Sequence, residues 1–258
     1  MIIETDAGSV SLEQIGAGPD IVLLHSLLSD RNVFAPIVPA LASTHRVSLV
    51  DLPGFGSTSL IEADMNAYGD MIGALLRAGS YDPDTTCVLG NGLGGFVALA
   101  TAIRHGSAFD KLVVAGCGAG FTEAGRGAFR GMVAGVQQGG MEAIIEVAIR
   151  RIFAEDYLAA HPDQAEERRA VLRRSDPAAF VAACTALLGL DYFEASKGVT
   201  NPTLVIAGSH DQATPPAMAI DLADRVPGAR LEIMDGVAHA PQLQDPDGFL
   251  TLLQGFLD

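Results

Sequence analysis

Asp211 and His239 are the two residues whose types and surroundings most directly indicate chemistry. Asp211 ends the string Gly-Ser-His-Asp at residues 208–211, just after an apolar run, and His239 lies in the string Ala-His-Ala-Pro-Gln at residues 238–242. A carboxylate that hydrogen-bonds an imidazole fixes its tautomer, so the other ring nitrogen can take a proton from a water or a hydroxyl. Two ordinary polar loop residues are the alternative interpretation. Because each residue follows a predicted strand, the pattern favours a general base, His239, oriented by Asp211.

A glycine-rich turn at residues 90–95 is the third candidate element, since it separates the apolar run 87–89 from the helical run 96–100. Its glycines match the dinucleotide-binding pattern G-x-G-x-x-G, but that pattern is usually followed about 20 residues later by an acid that binds the ribose. The next apolar run, 112–115, ends without an acid. The alternative is a nucleophile elbow, G-x-S-x-G, with Gly92 at its centre. The order elbow, acid, histidine favours the elbow, and we expect no cofactor.

Gly92 lacks the nucleophilic oxygen that the serine of such an elbow normally provides. Glycine has no nucleophilic group, so no acyl-enzyme can form at position 92. A water, Ser26 or Cys117 could replace it, and these alternatives stay open. We expect a water in the space of the missing hydroxymethyl group, Ser26 in a loop that binds the oxyanion, and Cys117 as a small buried apolar residue.

The elements that must position these residues are short apolar runs at residues 21–24, 47–50, 87–89, 112–115 and 204–207. Continuous apolar strands of this length indicate a parallel sheet covered on both faces. Segments of helical length lie between them, for example 64–78 and 93–104. The alternation predicts an α/β fold with a doubly wound, mostly parallel sheet, in which ligands bind beyond the carboxyl ends of the strands.

The middle of the chain differs from both flanks. It has helical periodicity without a convincing strand, and Pro162 and Pro177 stand where helices should begin. Residues 120–201 hold nine Lys and Arg against eleven Asp and Glu, whereas the flanks hold seven against twenty. We therefore expect a core formed by residues 1–119 and 202–258, with a helical cap inserted at residues 120–201. Any of Arg126, Arg130, Arg150 and Arg151 could meet a substrate carboxylate there, although a solvated helix face is the commoner role.

Composition narrows the possible partners. The 258 residues carry a formal net charge of −15, which disfavours nucleic acid, and 49% are hydrophobic, which excludes intrinsic disorder. No apolar run reaches the roughly 18 residues of a membrane span, and no secretory signal is visible. The three cysteines make no disulfide framework, and no His or Cys spacing indicates a metal site. The expectation is a cytoplasmic protein that takes a small-molecule substrate, with a homodimer left open.

The motifs together resemble the α/β-hydrolase superfamily. The strings at residues 51–56, 208–216 and 238–242 are similar to its signatures. Ser26-Leu27 and the histidine string are closest to 3-oxoadipate enol-lactonases, and Gly90-Asn91 is similar to carbon–carbon hydrolases that act on ring-cleavage products. The resemblance implies a cap over the pocket, and a small lactone, ester or β-diketone-like substrate. It also implies an oxyanion site made by the N–H groups of Leu27 and Leu93, with these residues nearby: His25, Ser26 and Asn91.

Three interpretations of Gly92 follow from the resemblance. The first is a hydrolase in which His239 and Asp211 activate a water. The second is a serine hydrolase whose nucleophile has been lost or replaced by glycine. The third is a non-catalytic protein that binds a small molecule on a hydrolase scaffold, which explains Gly92 easily but leaves Asp211 and His239 without a purpose.

Overall fold

A computed structural model describes residues 1–257 and contains one eight-stranded sheet. The strands are β1 (Ile2–Thr5), β2 (Gly8–Gly16), β3 (Asp20–Leu24), β4 (Arg46–Val50), β5 (Cys87–Asn91), β6 (Lys111–Ala115), β7 (Thr203–Gly208) and β8 (Arg230–Met234). Their order is β1-β2-β4-β3-β5-β6-β7-β8. The β1–β2 and β2–β4 pairs are antiparallel and all the others are parallel. The predicted doubly wound, mostly parallel α/β sheet is confirmed.

Helices occupy both faces and the long connection after β6. They are α1 (Val38–Leu41), α2 (Met65–Ala78), α3 (Leu93–His105), α4 (Glu123–Gly139), α5 (Ile145–Ile152), α6 (Glu155–Ala160), α7 (Pro162–Arg174), α8 (Pro177–Leu188), α9 (Pro216–Arg225), α10 (Pro241–Gln244) and α11 (Pro246–Leu257). Short 3₁₀ segments lie at Arg31–Phe34, Gly106–Ala108, Met141–Ile144 and Ala195–Gly198. Within residues 1–257 none of the helices is both long and apolar enough to cross a membrane.

The central strands are apolar throughout because side chains on both faces are buried. Along β3, Val22 and Leu24 pack into one hydrophobic cluster, whereas Ile21 and Leu23 pack into another on the opposite face. Successive side chains of a strand point to opposite faces, so a sheet covered twice needs apolar residues at every position. The first cluster contains the buried faces of α2 and α3, and the second contains those of α1 and α11.

The connection between β6 and β7 contains α4 to α8 and contributes no strand to the sheet over residues 116–202. Pro162 and Pro177 are the first residues of α7 and α8, as their fixed φ favours. A single antiparallel bridge between Gly120 and Asp191 joins the start of this segment to its end. The start and the end of the helical segment therefore lie next to each other, and the chain then runs on to the start of β7.

Asn201 anchors the chain where it returns from this segment to the core. Its buried side-chain amide donates to the carbonyl oxygens of Gly106, Phe109 and Asp110, at 2.9, 2.8 and 3.0 Å. These carbonyls belong to the turn between α3 and β6. One side chain thus joins the entry of β7 to the entry of its neighbour β6.

We predict that Asn201→Ala lowers the free energy of unfolding by about 1–3 kcal/mol, because buried carbonyl groups lose their donor. Urea denaturation followed by circular dichroism measures the change. Asn32→Ala is the matched control, since Asn32 is exposed and no side-chain hydrogen bond from it is present among residues 1–257; it should shift stability by less than about 0.5 kcal/mol. Equal stability of the two variants would contradict the anchoring role.

Candidate active site

The turn between β5 and α3 is a sharp strand-to-helix elbow with Gly92 at its centre. Gly92 has φ 55° and ψ −119°, a left-handed backbone conformation that favours glycine. Its N–H donates to the carbonyl of Ala115 at 2.9 Å, and the N–H of Gly94 donates to the carbonyl of His25 at 2.9 Å. The elbow is therefore tied to β6 on one side and to the loop after β3 on the other.

The space in front of Gly92 is filled by Ser26. A Cβ atom added to Gly92 would lie 2.3 Å from Ser26 Oγ and 2.7 Å from His239 Nε2. Instead of the expected void for a water, the structure places the hydroxymethyl group of Ser26 there. Ser26 Oγ lies 3.4 Å from His239 Nε2.

His239 and Asp211 form the hydrogen bond that their sequence positions predict. His239 Nδ1 donates to Asp211 Oδ2 at 2.8 Å, and the two residues are only 5% and 3% exposed. Burial raises the pKa of Asp211, but the charge and hydrogen bond of His239 and the hydrogen bonds from Thr214 outweigh burial, so the pKa of Asp211 is lowered overall. With Nδ1 donating to an ionised carboxylate, Nε2 is the ring nitrogen that can accept a proton.

Thr214 lines the cavity next to Gly92 and hydrogen-bonds Asp211, although the sequence analysis singled it out only as part of a family-like string. Its N–H donates to Asp211 Oδ1 at 2.9 Å, its hydroxyl donates to Asp211 Oδ2 at 2.7 Å, and Ala213 N–H donates to Oδ1 at 2.8 Å. An aspartate followed two and three residues later by such donors is a local turn motif. The spacing of Asp211 and Thr214 could therefore have predicted that Thr214 hydrogen-bonds the carboxylate.

Gly116, just after β6, makes room for the pair. It has φ 58°, and an added Cβ would lie 3.0 Å from His239 Nδ1 and 3.3 Å from Asp211 Oδ2. A side chain here would press on both groups. Gly116 therefore allows the histidine and aspartate to approach the carboxyl end of β6.

Two backbone N–H groups in front of the elbow are unused. Neither Leu27 N–H nor Leu93 N–H has a protein acceptor among residues 1–257, and both residues line the cavity next to Gly92. Leu93 is the first residue of α3, where the helix dipole also favours negative charge. The pair can bind the negative oxygen that forms when a carbonyl is attacked.

His25 and Asn91 are buried and support the loops around the site. His25 Nδ1 donates to the Ser26 carbonyl at 2.9 Å, and its Nε2 accepts from Leu52 N–H at 3.2 Å. Burial lowers the pKa of His25, which keeps the ring neutral. Asn91 donates to the carbonyls of Ala115 and His239 at 3.2 and 2.9 Å. Neither side chain lines the cavity next to Gly92.

The cavity beside Gly92 contains about 390 Å³ of space, part of it open to solvent, and has a mostly apolar wall. Its polar lining residues are Ser26, Arg151, Thr214 and His239, and its apolar lining residues are Leu27, Leu28, Leu93, Phe96, Phe121, Phe129, Met132, Leu187 and Ala213. An apolar pocket with a few convergent polar groups is typical of a small-molecule site.

Of the four arginines singled out between β6 and β7, only Arg151 lines the cavity. It is half-buried and has no ion-pair or hydrogen-bond acceptor among residues 1–257. Arg126 donates to the carbonyls of Leu188 and Leu190, Arg130 pairs with Glu123, and Arg150 is exposed.

Cys117 lies outside the cavity. It is 1% exposed, its Sγ donates to the Gly118 carbonyl at 3.6 Å, and burial strongly raises the pKa of its thiol. A thiol held in its neutral form is a poor nucleophile. Its surroundings match the buried apolar role expected from the sequence.

Known proteins share this architecture. A pimeloyl-[acyl-carrier protein] methyl ester esterase of Aeromonas hydrophila is 32% identical over 96% of this chain and 99% of its own length. That of Aliivibrio salmonicida is 29% identical over 94% and 93%. The enol-lactonase from Burkholderia xenovorans LB400 covers 100% of this chain and 99% of its own, with a TM-score of 0.92 at 24% identity. Est816, described as an N-acyl homoserine lactone degrading enzyme, covers 99% and 100%, with a TM-score of 0.84 at 24% identity.

The model of the alpha/beta hydrolase family matches residues 21–252. The match begins in β3 and ends in α11, so it includes the elbow, Asp211 and His239. The architecture and the sequence relationship agree, and this chain belongs to the alpha/beta hydrolase family.

Proposed function

We propose that this protein hydrolyses a small ester, a lactone or the carbon–carbon bond of a β-diketone-like compound. The observation that carries the proposal is the buried Asp211–His239 pair, whose Nε2 faces the cavity beside Gly92. Support comes from relatives named as methyl ester esterases.

In the proposed reaction, the substrate carbonyl points its oxygen at the N–H groups of Leu27 and Leu93. His239 Nε2 takes the proton of the attacking oxygen, and Asp211 stabilises the imidazolium that results. His239 then returns the proton to the leaving group. Each oxyanion donor contributes about 2.7–4 kcal/mol to the transition state. The attacking oxygen is either a water in the cavity or a serine hydroxyl, and Gly92 cannot supply the latter.

We also propose that residues 120–201 act as the cap of this site. Phe121, Phe129, Met132, Arg151 and Leu187 all come from this segment and form the part of the cavity wall that faces the sheet edge. A cap of this kind excludes water and strengthens the electrostatic interactions beneath it.

The apolar wall and Arg151 together support a substrate with an apolar body and a negatively charged end. A guanidinium without a protein acceptor can bind a carboxylate through two parallel N–H donors. Aliphatic or aromatic esters that carry a second, free carboxylate are therefore the substrate class we propose.

The second candidate function is a non-catalytic small-molecule-binding protein. Gly92 is the observation in its favour, because the side chain that acts in the serine-dependent mechanism is missing. This hypothesis leaves the satisfied, ionised Asp211 and the oriented His239 without a role.

His239→Ala and Asp211→Asn are each expected to lower kcat by about 10³–10⁴-fold, because the base is lost or held in the wrong tautomer. Steady-state kinetics on a panel of aryl esters and lactones measures the effect. The matched control is His210→Ala, since His210 is exposed and precedes Asp211 in the same loop. Unchanged turnover in both variants would contradict the catalytic role of the pair, whereas a wild-type protein that binds panel members without cleaving any would favour the binding protein.

Gly92→Ser should give a burst of product from activated aryl esters, because a hydroxyl at position 92 lies beside His239 and the Leu27 and Leu93 N–H groups. The new Cβ needs Ser26 Oγ to rotate away, and a side chain at φ 55° costs about 1–3 kcal/mol of stability. Stopped-flow kinetics and a thermal melt test both effects. Absence of any burst in a folded variant would show that the elbow does not direct chemistry.

Arg151→Met should raise KM at least about tenfold for esters that carry a free carboxylate and leave KM for neutral esters nearly unchanged, since a lost charge-assisted hydrogen bond costs about 1.5–3 kcal/mol. Arg150→Met is the matched control, because Arg150 precedes it in α5 but is exposed. Equal effects of Arg151→Met on charged and neutral esters would indicate that the side chain only shapes the cavity.

A further inference from the structure

Ser26 occupies the volume that a side chain at position 92 would need. The distance of 2.3 Å between Ser26 Oγ and an added Cβ of Gly92 is far shorter than any non-bonded contact, so the two groups exclude each other. A glycine at position 92 is thus the condition under which the Ser26 hydroxyl can reach the histidine.

The hydroxyl of Ser26 is the only polar group of this residue that remains available. Its N–H donates to Ser29 Oγ at 3.1 Å, and its carbonyl accepts from His25 Nδ1 at 2.9 Å and from Ser29 Oγ at 3.1 Å. The backbone of Ser26 is therefore held from both sides. Within residues 1–257, His239 Nε2 is the one hydrogen-bond partner of its Oγ.

The direction of that hydrogen bond follows from the rest of the site. When the imidazole is neutral and its Nδ1 donates to the carboxylate of Asp211, Nε2 accepts and the Ser26 hydroxyl donates. Hydroxyl, imidazole and carboxylate thus form one chain, Ser26–His239–Asp211. The 3.4 Å separation suits a site without ligand, since such bonds tighten when substrate binds.

Resting on the proposed hydrolase function, we propose that Ser26 is the nucleophile. Its Oγ bonds to the acyl carbon while its proton passes to His239 Nε2, and the carbonyl oxygen becomes an oxyanion bound by the N–H groups of Leu27 and Leu93. The oxyanion collapses, the bond from the acyl carbon to the leaving oxygen breaks, and the leaving alcohol or enol takes the proton from His239.

A water then completes the turnover. His239 removes a proton from the water, whose oxygen bonds to the acyl carbon of the acyl-Ser26 intermediate. The acyl–Oγ bond breaks, and Ser26 Oγ takes the proton back from His239. The carboxylic acid product leaves, and every group returns to its starting state.

The position of Ser26 in the loop fits this role. The oxyanion donor Leu27 N–H directly follows the nucleophile in the chain, which is also the arrangement at a serine-bearing elbow. Leu93, at the start of α3, provides the second donor from the other side of the cavity. A nucleophile supplied after β3 can therefore use the same base and the same oxyanion donors as one supplied after β5.

Covalent labelling tests the proposal. The wild-type protein is treated with an aryl fluorophosphonate and, separately, acid-quenched during turnover of p-nitrophenyl butyrate; peptide mass spectrometry locates the adducts. We expect both adducts on Ser26. Ser26→Ala should lose the adducts and at least about 10³-fold of kcat. Ser43→Ala, at an exposed serine outside the site, should keep the adduct on Ser26.

Ser26→Cys keeps the test informative if the alanine variant fails to fold. Its new thiol, which is similar in size to the hydroxyl, should be alkylated by iodoacetamide faster than the three buried cysteines, Cys87, Cys117 and Cys184. In Gly92→Ser the fluorophosphonate adduct should move from Ser26 to position 92. Turnover by the wild type without an adduct, together with an active Ser26→Ala, would overturn the Ser26 proposal but leave the hydrolase function intact. Neither adduct nor turnover in the wild type would overturn both.

Discussion

The ionised carboxylate of Asp211 is the constraint around which the sheet edge is organised. An unpaired charge buried to 3% exposure would cost several kcal/mol, so the carboxylate needs donors on every side. Two backbone N–H groups, the Thr214 hydroxyl and the imidazole of His239 supply them. Satisfying one buried charge thereby sets the ring orientation of His239, and with it the direction in which Nε2 accepts a proton.

Most of the sheet could be predicted from the sequence because its signal is local. Each central strand is apolar at successive positions, and both faces are buried, so composition within five residues is enough. Asp211 and His239 were identifiable for the same reason: each follows its own strand, and parallel strands end at one edge. The side chains that line the cavity from the helices between β6 and β7 are harder to predict. The sequence indicates the helices, but which of their faces meets the cavity depends on how the helices pack, as for Phe129 and Arg151.

The relation between Ser26 and His239 could not have been predicted. The two residues are 213 positions apart, and their approach depends on the conformation of the loop after β3. From the sequence alone, a water, Ser26 and Cys117 therefore stayed open as replacements for the nucleophile that Gly92 cannot provide. Their positions differ: Cys117 is buried beside Gly95 and outside the cavity, whereas the Ser26 hydroxymethyl group fills the space in front of Gly92. The consequence of a glycine at position 92 can therefore be inferred only when the neighbouring side chain that fills the space in front of it, Ser26, is known.

The backbone of His239 is held by two different parts of the molecule. Its carbonyl accepts from Asn91 of the core at 2.9 Å, and its N–H donates at 3.1 Å to the carbonyl of Ile152, the last residue of α5. The same peptide that carries the base is therefore shared between the sheet and the helices above it. Any displacement of α5 from the sheet would break one of the two bonds, so the position of this helix and the alignment of the imidazole are physically linked.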